Sequence, residues 1–258
     1  MDEAARQVSE AGAPLPPSQP VSVLAGTRRL EALVDAPTGT PQGVLALGHP
    51  HPAHGGRMDH PVLACAARRA AAQGLLVLRW NFGGVAGSEG DRHDLAAHMD
   101  DVRAAAREAR RRVPTGPLLG GGFSYGARLF AAVVDPATPE RAPFAGGLLL
   151  APATHVPSTP RDFGNLLLGR PLADARLDPR AVQRLGALPV PCEVLVGECD
   201  VVAPPPVLRE VLAPVARLEV LPGLNHFFSR SVGAGTTAYD LLEPALDAAL
   251  GRLRARVA

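Results

Sequence analysis

Three polar side chains, far apart in the chain, carry the chemistry that this sequence could perform. Ser124 lies inside Gly122-Phe123-Ser124-Tyr125-Gly126, Asp200 follows Gly197-Glu198-Cys199, and His226 stands between Asn225 and Phe227-Phe228. A serine hydroxyl is a weak nucleophile near neutral pH. It attacks a carbonyl when a base takes its proton, and an imidazole base works best when a carboxylate holds its ring. Each of the three residues comes just after an apolar run, in the order serine, aspartate, histidine. Ser124 is therefore the predicted nucleophile, His226 the base and Asp200 the orienting acid. Glu198 is the alternative acid, and Asp135 is less well placed. The plainer alternatives are a glycine-rich turn or phosphate cradle at Ser124, a surface or core histidine, and a turn-forming aspartate. The chain contains no lysine and no Gly-x-x-x-x-Gly-Lys pattern, which argues against a Walker-type phosphate loop.

A serine framed as Gly-x-Ser-x-Gly between a strand and a helix must sit on a very tight turn, and side chains at the two glycine positions would collide. The helix starting there points amides at the site, which suits a developing negative charge. An oxyanion needs two such donors. Tyr125, next after the serine, is expected to supply one. The other should come from the loop His49-Pro50-His51-Pro52-Ala53-His54. Both prolines lack an amide hydrogen, so His51 is the predicted donor, with Ala53 as the weaker candidate. Phe82, Tyr125, Val202, Phe227 and Phe228 are candidates for an apolar acyl pocket. His49, His51, His54 and His60 could be read as a zinc site, but no acidic or cysteine ligand accompanies them. No metal or cofactor is expected, and His49 is read as shaping its loop through backbone hydrogen bonds.

The elements that must position these residues follow from apolar runs and their periods. Val21–Leu24 and Leu30–Val34 read as a hairpin about Gly26-Thr27. Val44–Leu47, Leu75–Trp80, Pro117–Leu119, Ala145–Leu150, Cys192–Val196 and Leu218–Leu221 read as buried strands. Helices are predicted near Met58–Ala72, Asp94–Arg112, Arg128–Val134, Pro179–Leu185, Val207–Leu212 and Ala238–Arg256. In the second of these, Leu95, Met99, Val102, Ala106 and Ala109 form the predicted buried stripe. Alternating strands and helices imply an α/β fold, with a mostly parallel sheet covered on both faces and ligands at the carboxyl ends of the strands. Residues 21–258 are read as one domain, 154–191 as a possible small cap, and 1–20 as a disordered tail.

The sequence has 258 residues, of which 47% are hydrophobic and 20% charged, with a net charge near +1. Neither nucleic acid nor an anionic membrane is implied by that balance. Cys65, Cys192 and Cys199 are too few and too scattered for a disulfide framework, and the first twenty residues lack a signal-peptide pattern. A cytoplasmic enzyme acting on a small-molecule acyl substrate, with no membrane partner, is expected.

Several motifs together resemble the α/β-hydrolase superfamily, most closely a small bacterial branch. They are Leu47-Gly48-His49-Pro50-His51-Pro52, Gly55-Gly56-Arg57-Met58-Asp59, Arg79-Trp80-Asn81-Phe82-Gly83-Gly84-Val85, and Gly122-Phe123-Ser124-Tyr125-Gly126. Gly197–Asp200 and Asn225–Phe228 are similar to that branch's acid and base segments. Trp80 stands where the branch carries phenylalanine, and the stretch Thr154–Leu185 does not resemble it. The resemblance implies a serine hydrolase acting on an ester or thioester through an acyl-serine. An acyltransferase or cyclase on the same scaffold, or a binding protein that kept it, are the alternatives.

Overall fold

The chain alternates short apolar runs with amphipathic ones, and the computed structural model turns that alternation into a layered α/β fold. It describes residues 15–138, 140–156, 160–167, 176–230 and 236–257. The expected tail falls mostly on residues 1–14, outside the described residues. The first strand begins earlier than its apolar run, because Ser18 already bonds Asp35 at 2.5 Å.

The strands are β1 (Gln19–Ala25), β2 (Arg28–Asp35), β3 (Gly43–Gly48), β4 (Leu75–Trp80), β5 (Leu118–Phe123), β6 (Gly146–Leu150), β7 (His155–Val156), β8 (Arg176–Leu177), β9 (Cys192–Gly197) and β10 (Ala216–Leu221). The helices are α1 (Pro61–Ala72), α2 (Leu95–Arg112), α3 (Tyr125–Val134), α4 (Pro160–Leu167), α5 (Pro179–Gly186), α6 (Pro205–Val211) and α7 (Tyr239–Val257). Eight strands form one sheet in the order β1-β2-β4-β3-β5-β6-β9-β10. The β1–β2 and β2–β4 pairs are antiparallel and the remaining pairs parallel. β3, β5, β6 and β9 are buried along their whole length, as strands covered on both faces must be.

Helix α1 packs against α7 on one face, and α2 packs against α3, with α5 beyond it, on the other. β3 feeds α1 while its neighbour β5 feeds α3, so the chain leaves the two central strands toward opposite faces. Their ends meet in register at Gly48 and Gly122, and the crevice at such a switch point is where α/β sheets bind ligands. Among the described residues, no helix is long and apolar enough to cross a membrane.

Two sequence expectations need correction. β5 continues through the glycine run as far as Phe123, because Gly120 lies beneath the rings of Phe130 and Phe144 where a Cβ would not fit. The buried face of α2 keeps Val102, Ala106 and Ala109 of the predicted stripe, with Met99 packed against the core, but leaves Leu95 out and takes in His98 and Asp101. Leu95 is 51% exposed, whereas His98, Asp101, Val102, Ala105 and Ala109 are buried. The expected cap stretch contains the two-stranded β7–β8 ribbon with α4 and α5. Residues 157–159 and 168–175 of that stretch lie outside the described residues.

Candidate active site

Ser124 sits between the last residue of β5 and the first of α3, with φ 54° and ψ −106°. That backbone conformation costs a non-glycine residue about 1–3 kcal/mol. The surroundings hold it there. The Ser124 amide donates to the Leu150 carbonyl of β6 at 2.8 Å. A Cβ on Gly122 or Gly126 would lie 2.3 or 2.1 Å from the Gly48 carbonyl oxygen, so the turn closes against β3 only with glycine at both places.

His226 follows β10 and Asp200 follows β9, and the sheet brings both to the serine. The His226 Nε2 lies 3.0 Å from Ser124 Oγ, and its Nδ1 lies 2.8 Å from Asp200 Oδ2. The other carboxylate oxygen, Oδ1, accepts from the amides of Val202 and Ala203, both at 2.8 Å. Every lone pair that matters on Asp200 is thus fixed, and all three side chains are buried. The alternative acids point elsewhere. Glu198 accepts from the Gly223 amide, and Asp135 accepts from the Ala137 amide at the far end of α3. The imidazole of His226 packs against Phe123 and Phe227, with centroids 5.3 and 5.5 Å away.

The loop after β3 carries His51 beside Tyr125, with ring centroids 4.6 Å apart. Among the described residues, neither the His51 nor the Tyr125 amide has a hydrogen-bond partner. The amide of Ala53, by contrast, donates to His51 Nδ1 at 3.2 Å. Among the described residues the His51 and Tyr125 amides thus stay without partners, while that of Ala53 is taken. His49 holds this loop from below: its Nδ1 lies 2.6 Å from the Pro50 carbonyl, and its Nε2 accepts from the Phe82 amide at 3.0 Å. The second contact requires the ring proton on Nδ1. Burial pushes the His49 pKa down to about 3, so the ring is neutral near pH 7. His60 caps α1 by accepting from the Val62 amide. Burial lowers both His51 and His60 to about 4. His51 and His54 lie side by side, with centroids 4.8 Å apart, and no group of three metal-ligating side chains forms among the described residues.

The expected pocket residues divide into two kinds. Phe82 and Phe228 are wholly buried. Phe82 packs between His49, Trp80, His98 and Tyr125, and Phe228 packs behind Phe123. These two support the site from inside the core and do not line a pocket, which corrects the sequence expectation. Trp80 is equally buried. Val202 and the half-exposed side of Phe227 instead join Ala153 and Leu166 in a small apolar cluster beside His226.

Sequence reasoning missed His98 and Asp101 of α2. The Gly83 amide donates to Asp101 Oδ2 at 2.9 Å, and Arg28 pairs with the same carboxylate at 2.8 Å. Burial nevertheless raises the Asp101 pKa. His98 contacts Gly83 and Tyr125. His98, Asp101, Val102, Ala105 and Ala109 keep a helical period, but the partners that a buried polar residue needs appear only in the fold.

The profile of the serine aminopeptidase S33 hydrolase family matches residues 39–177. An α/β serine hydrolase homologue from Coxiella burnetii shares 22% identity at a TM-score of 0.66, over 91% of this chain and 97% of its own. A lidless α/β serine hydrolase from Xanthomonas campestris shares 27% identity at a TM-score of 0.64, over 93% and 97% of the two chains. Est1E from Butyrivibrio proteoclasticus, solved with ferulic acid bound, shares 16% identity at a TM-score of 0.68, over 91% and 99%. The Coxiella and Butyrivibrio likenesses speak for the fold alone. No curated protein sequence matches the chain.

Proposed function

The chain belongs to the serine aminopeptidase S33 family of α/β hydrolases, and from that premise we propose that it cleaves a carboxylic ester or thioester through an acyl-serine intermediate. The observation that carries this reading is the hydrogen-bonded run from Ser124 Oγ through His226 to Asp200, at 3.0 and 2.8 Å. Ser124 Oγ attacks the acyl carbon as His226 Nε2 takes its proton. The carbonyl oxygen becomes an oxyanion and receives the His51 and Tyr125 amides. Collapse breaks the bond to the leaving oxygen or sulfur, which takes the proton back from His226. Water repeats the sequence and releases the acid. Asp200 holds the proton on Nδ1, so that Nε2 remains a base, and stabilises the transient imidazolium.

The family's name raises peptides as substrates, but an aminopeptidase must hold an α-ammonium close to the nucleophile. Both oxygens of Asp200 are committed, and Asp178 is paired with Arg128. Aromatic rings, neutral imidazoles and the apolar cluster of Ala153, Leu166 and Val202 surround the relay. Those surfaces suit an uncharged acyl group, and Est1E with ferulic acid bound supplies a parallel on the same fold. Ser124→Ala should abolish turnover of a short aryl ester and labelling by a fluorophosphonate. Wild-type rates in that variant would sink the proposal.

A further inference from the structure

The two proposed oxyanion donors belong to different loops, His51 after β3 and Tyr125 at the start of α3. Both must meet one oxygen atom, and small errors in their placement are expensive in rate. No strand or helix contains both. Hydrogen bonds on either side of the Phe82-Gly83 backbone join the His51 peptide to the Tyr125 side chain.

The connection starts at the peptide unit linking Pro50 and His51. This unit is trans, so its carbonyl and its N–H point in opposite directions. His49 Nδ1–H donates to that carbonyl at 2.6 Å, which fixes the plane and so the aim of the His51 amide. Nε2 of the same ring accepts from the Phe82 amide at 3.0 Å. One residue further along the chain, the Gly83 carbonyl lies 3.2 Å from His98 Nε2. A carbonyl only accepts, so Nε2 carries the proton there. Nδ1 of His98 is then the acceptor for the Tyr125 hydroxyl at 2.9 Å. The two rings hold opposite tautomers, each set by a backbone carbonyl. The Phe82 ring fills the space between them, 4.6 Å from His49, 5.1 Å from His98 and 5.8 Å from Tyr125. Asp101, one turn beyond His98, holds the Gly83 amide at 2.9 Å, so α2 grips Gly83 through both its N–H and its carbonyl.

Resting on the reading of Ser124 as nucleophile, we infer that His98 is a positioning residue for the oxyanion site. It is the α2 end of a strut, His49–Phe82–Gly83–His98, that ties the His51 amide to the Tyr125 side chain. His98 touches neither substrate nor the reacting atoms. It fixes Tyr125, and through Tyr125 the first turn of α3.

The test uses steady-state hydrolysis of a short aryl ester together with binding of an alkyl boronic acid, which forms a tetrahedral adduct on an activated serine. His98→Leu should lower kcat about tenfold with KM nearly unchanged, less than the roughly hundredfold or greater loss of a deleted donor. Boronate affinity should fall by a similar factor. Tyr125→Phe, which removes a single oxygen atom, should give a loss of the same order and decides the matter if the leucine variant does not fold. The double variant should be no slower than the slower single one, because both interrupt one strut. His98→Gln, able to accept from Tyr125 and donate to Gly83, should recover kcat to within about threefold of wild type. Wild-type kcat in His98→Leu and Tyr125→Phe, or losses that multiply in the double variant, would overturn the strut. A change in melting temperature without a change in kcat or boronate affinity would overturn it too. If Ser124→Ala still turns over, the nucleophile assignment fails instead; with Ser124→Ala dead and the His98 variants at full rate, only the strut fails.

Discussion

The two flanks of the crevice are built differently. On the flank of His51 and Tyr125, side chains cross-brace the loops. Asn81 accepts from the Met58 amide at 2.9 Å and donates to Glu31 at 2.8 Å, Ser88 donates to the Asn81 carbonyl at 2.7 Å, and His49, His98 and Asp101 add the contacts described above. On the opposite flank, from Ala153 to α5, backbone bonds do more of the holding: the Val202 carbonyl receives the Thr154 and His155 amides at 3.0 and 2.9 Å, and the Asp178 amide donates to the Thr154 carbonyl at 2.8 Å. Among the described residues the Arg128–Asp178 pair and the apolar packing of Leu166 on Val202 add to these. The braced flank is where negative charge would develop, and preorganised donors are worth most when they do not have to move. The apolar flank would read the shape of the acyl group, where room matters more than fixed direction.

Asp200 is the joint between the flanks, because the residue that caps its carboxylate, Val202, also carries the Thr154–His155 attachment. Asp200→Asn separates the two duties. The side-chain oxygen can still accept from the Val202 and Ala203 amides, so the attachment survives. The new NH2 then faces His226 Nδ1 and drives the ring proton to Nε2, which can no longer take the serine proton. We expect kcat to fall by about 10⁴-fold, as when the acid of such a relay becomes an amide. Thermal stability should change little. A loss of under tenfold would remove Asp200 from the relay. A collapse in melting temperature would show that the joint, rather than the proton, had been lost.

The braced flank should also be the acid-sensitive one. His49, His51 and His60 all have folded pKa values lowered by burial, to about 3, 4 and 4. In the unfolded chain they titrate near 6.5. Between pH 6.5 and those values the unfolded state binds more protons, so their contribution to stability is complete above pH 6.5 and is lost as pH falls toward 4. For His49, wholly buried, the slope is about 1.4 kcal/mol per pH unit. Urea unfolding at pH 8, 6, 5 and 4 would measure it, with His49→Gln shallower by about that amount. Equal slopes in the two proteins would mean that His49 does not drive the acid loss.

Much of this contrast could be read in the sequence and part of it could not. Gly122 and Gly126 announce the turn at Ser124 because sterics leave no other residue room. The apolar runs before Ser124, Asp200 and His226 place all three at strand ends. His51 is the donor expected over Ala53, since its proline neighbours have no amide hydrogen. The rest depends on partners that only the fold supplies. Periodicity put Leu95 on the buried face of α2 because an apolar residue outweighs a histidine in such a pattern. The real face carries His98 and Asp101, whose burial makes sense only once Gly83 and Tyr125 are beside them. Phe227 and Phe228 are adjacent and alike, yet the left-handed backbone at Phe228, φ 53°, turns its ring into the core. In the stretch from 154 to 191 the sequence pattern finds α5, expected at Pro179–Leu185 and present at Pro179–Gly186, but is too weak to specify α4.

The smallest expected effect lies on the apolar flank. Leu166 of α4 rests on Ala153 and Val202, with Phe227 packed alongside. Leu166→Ala removes three carbons and opens the wall beside His226. Hexanoyl esters should then gain on acetyl esters, with their kcat/KM ratio rising about threefold, since a pocket distinguishes methylene groups by small energies. A truncated buried leucine also costs about 2 kcal/mol or more of stability, so the ratio is measured well below the melting temperature. The ratio isolates acyl fit, because both substrates share the same relay and the same oxyanion donors. If both esters slow together by tenfold, Leu166 belongs to the rigid machinery and the two flanks are not built to different standards. If the ratio rises while the acetyl ester moves much less, acyl choice and charge stabilisation reside on opposite sides of Ser124.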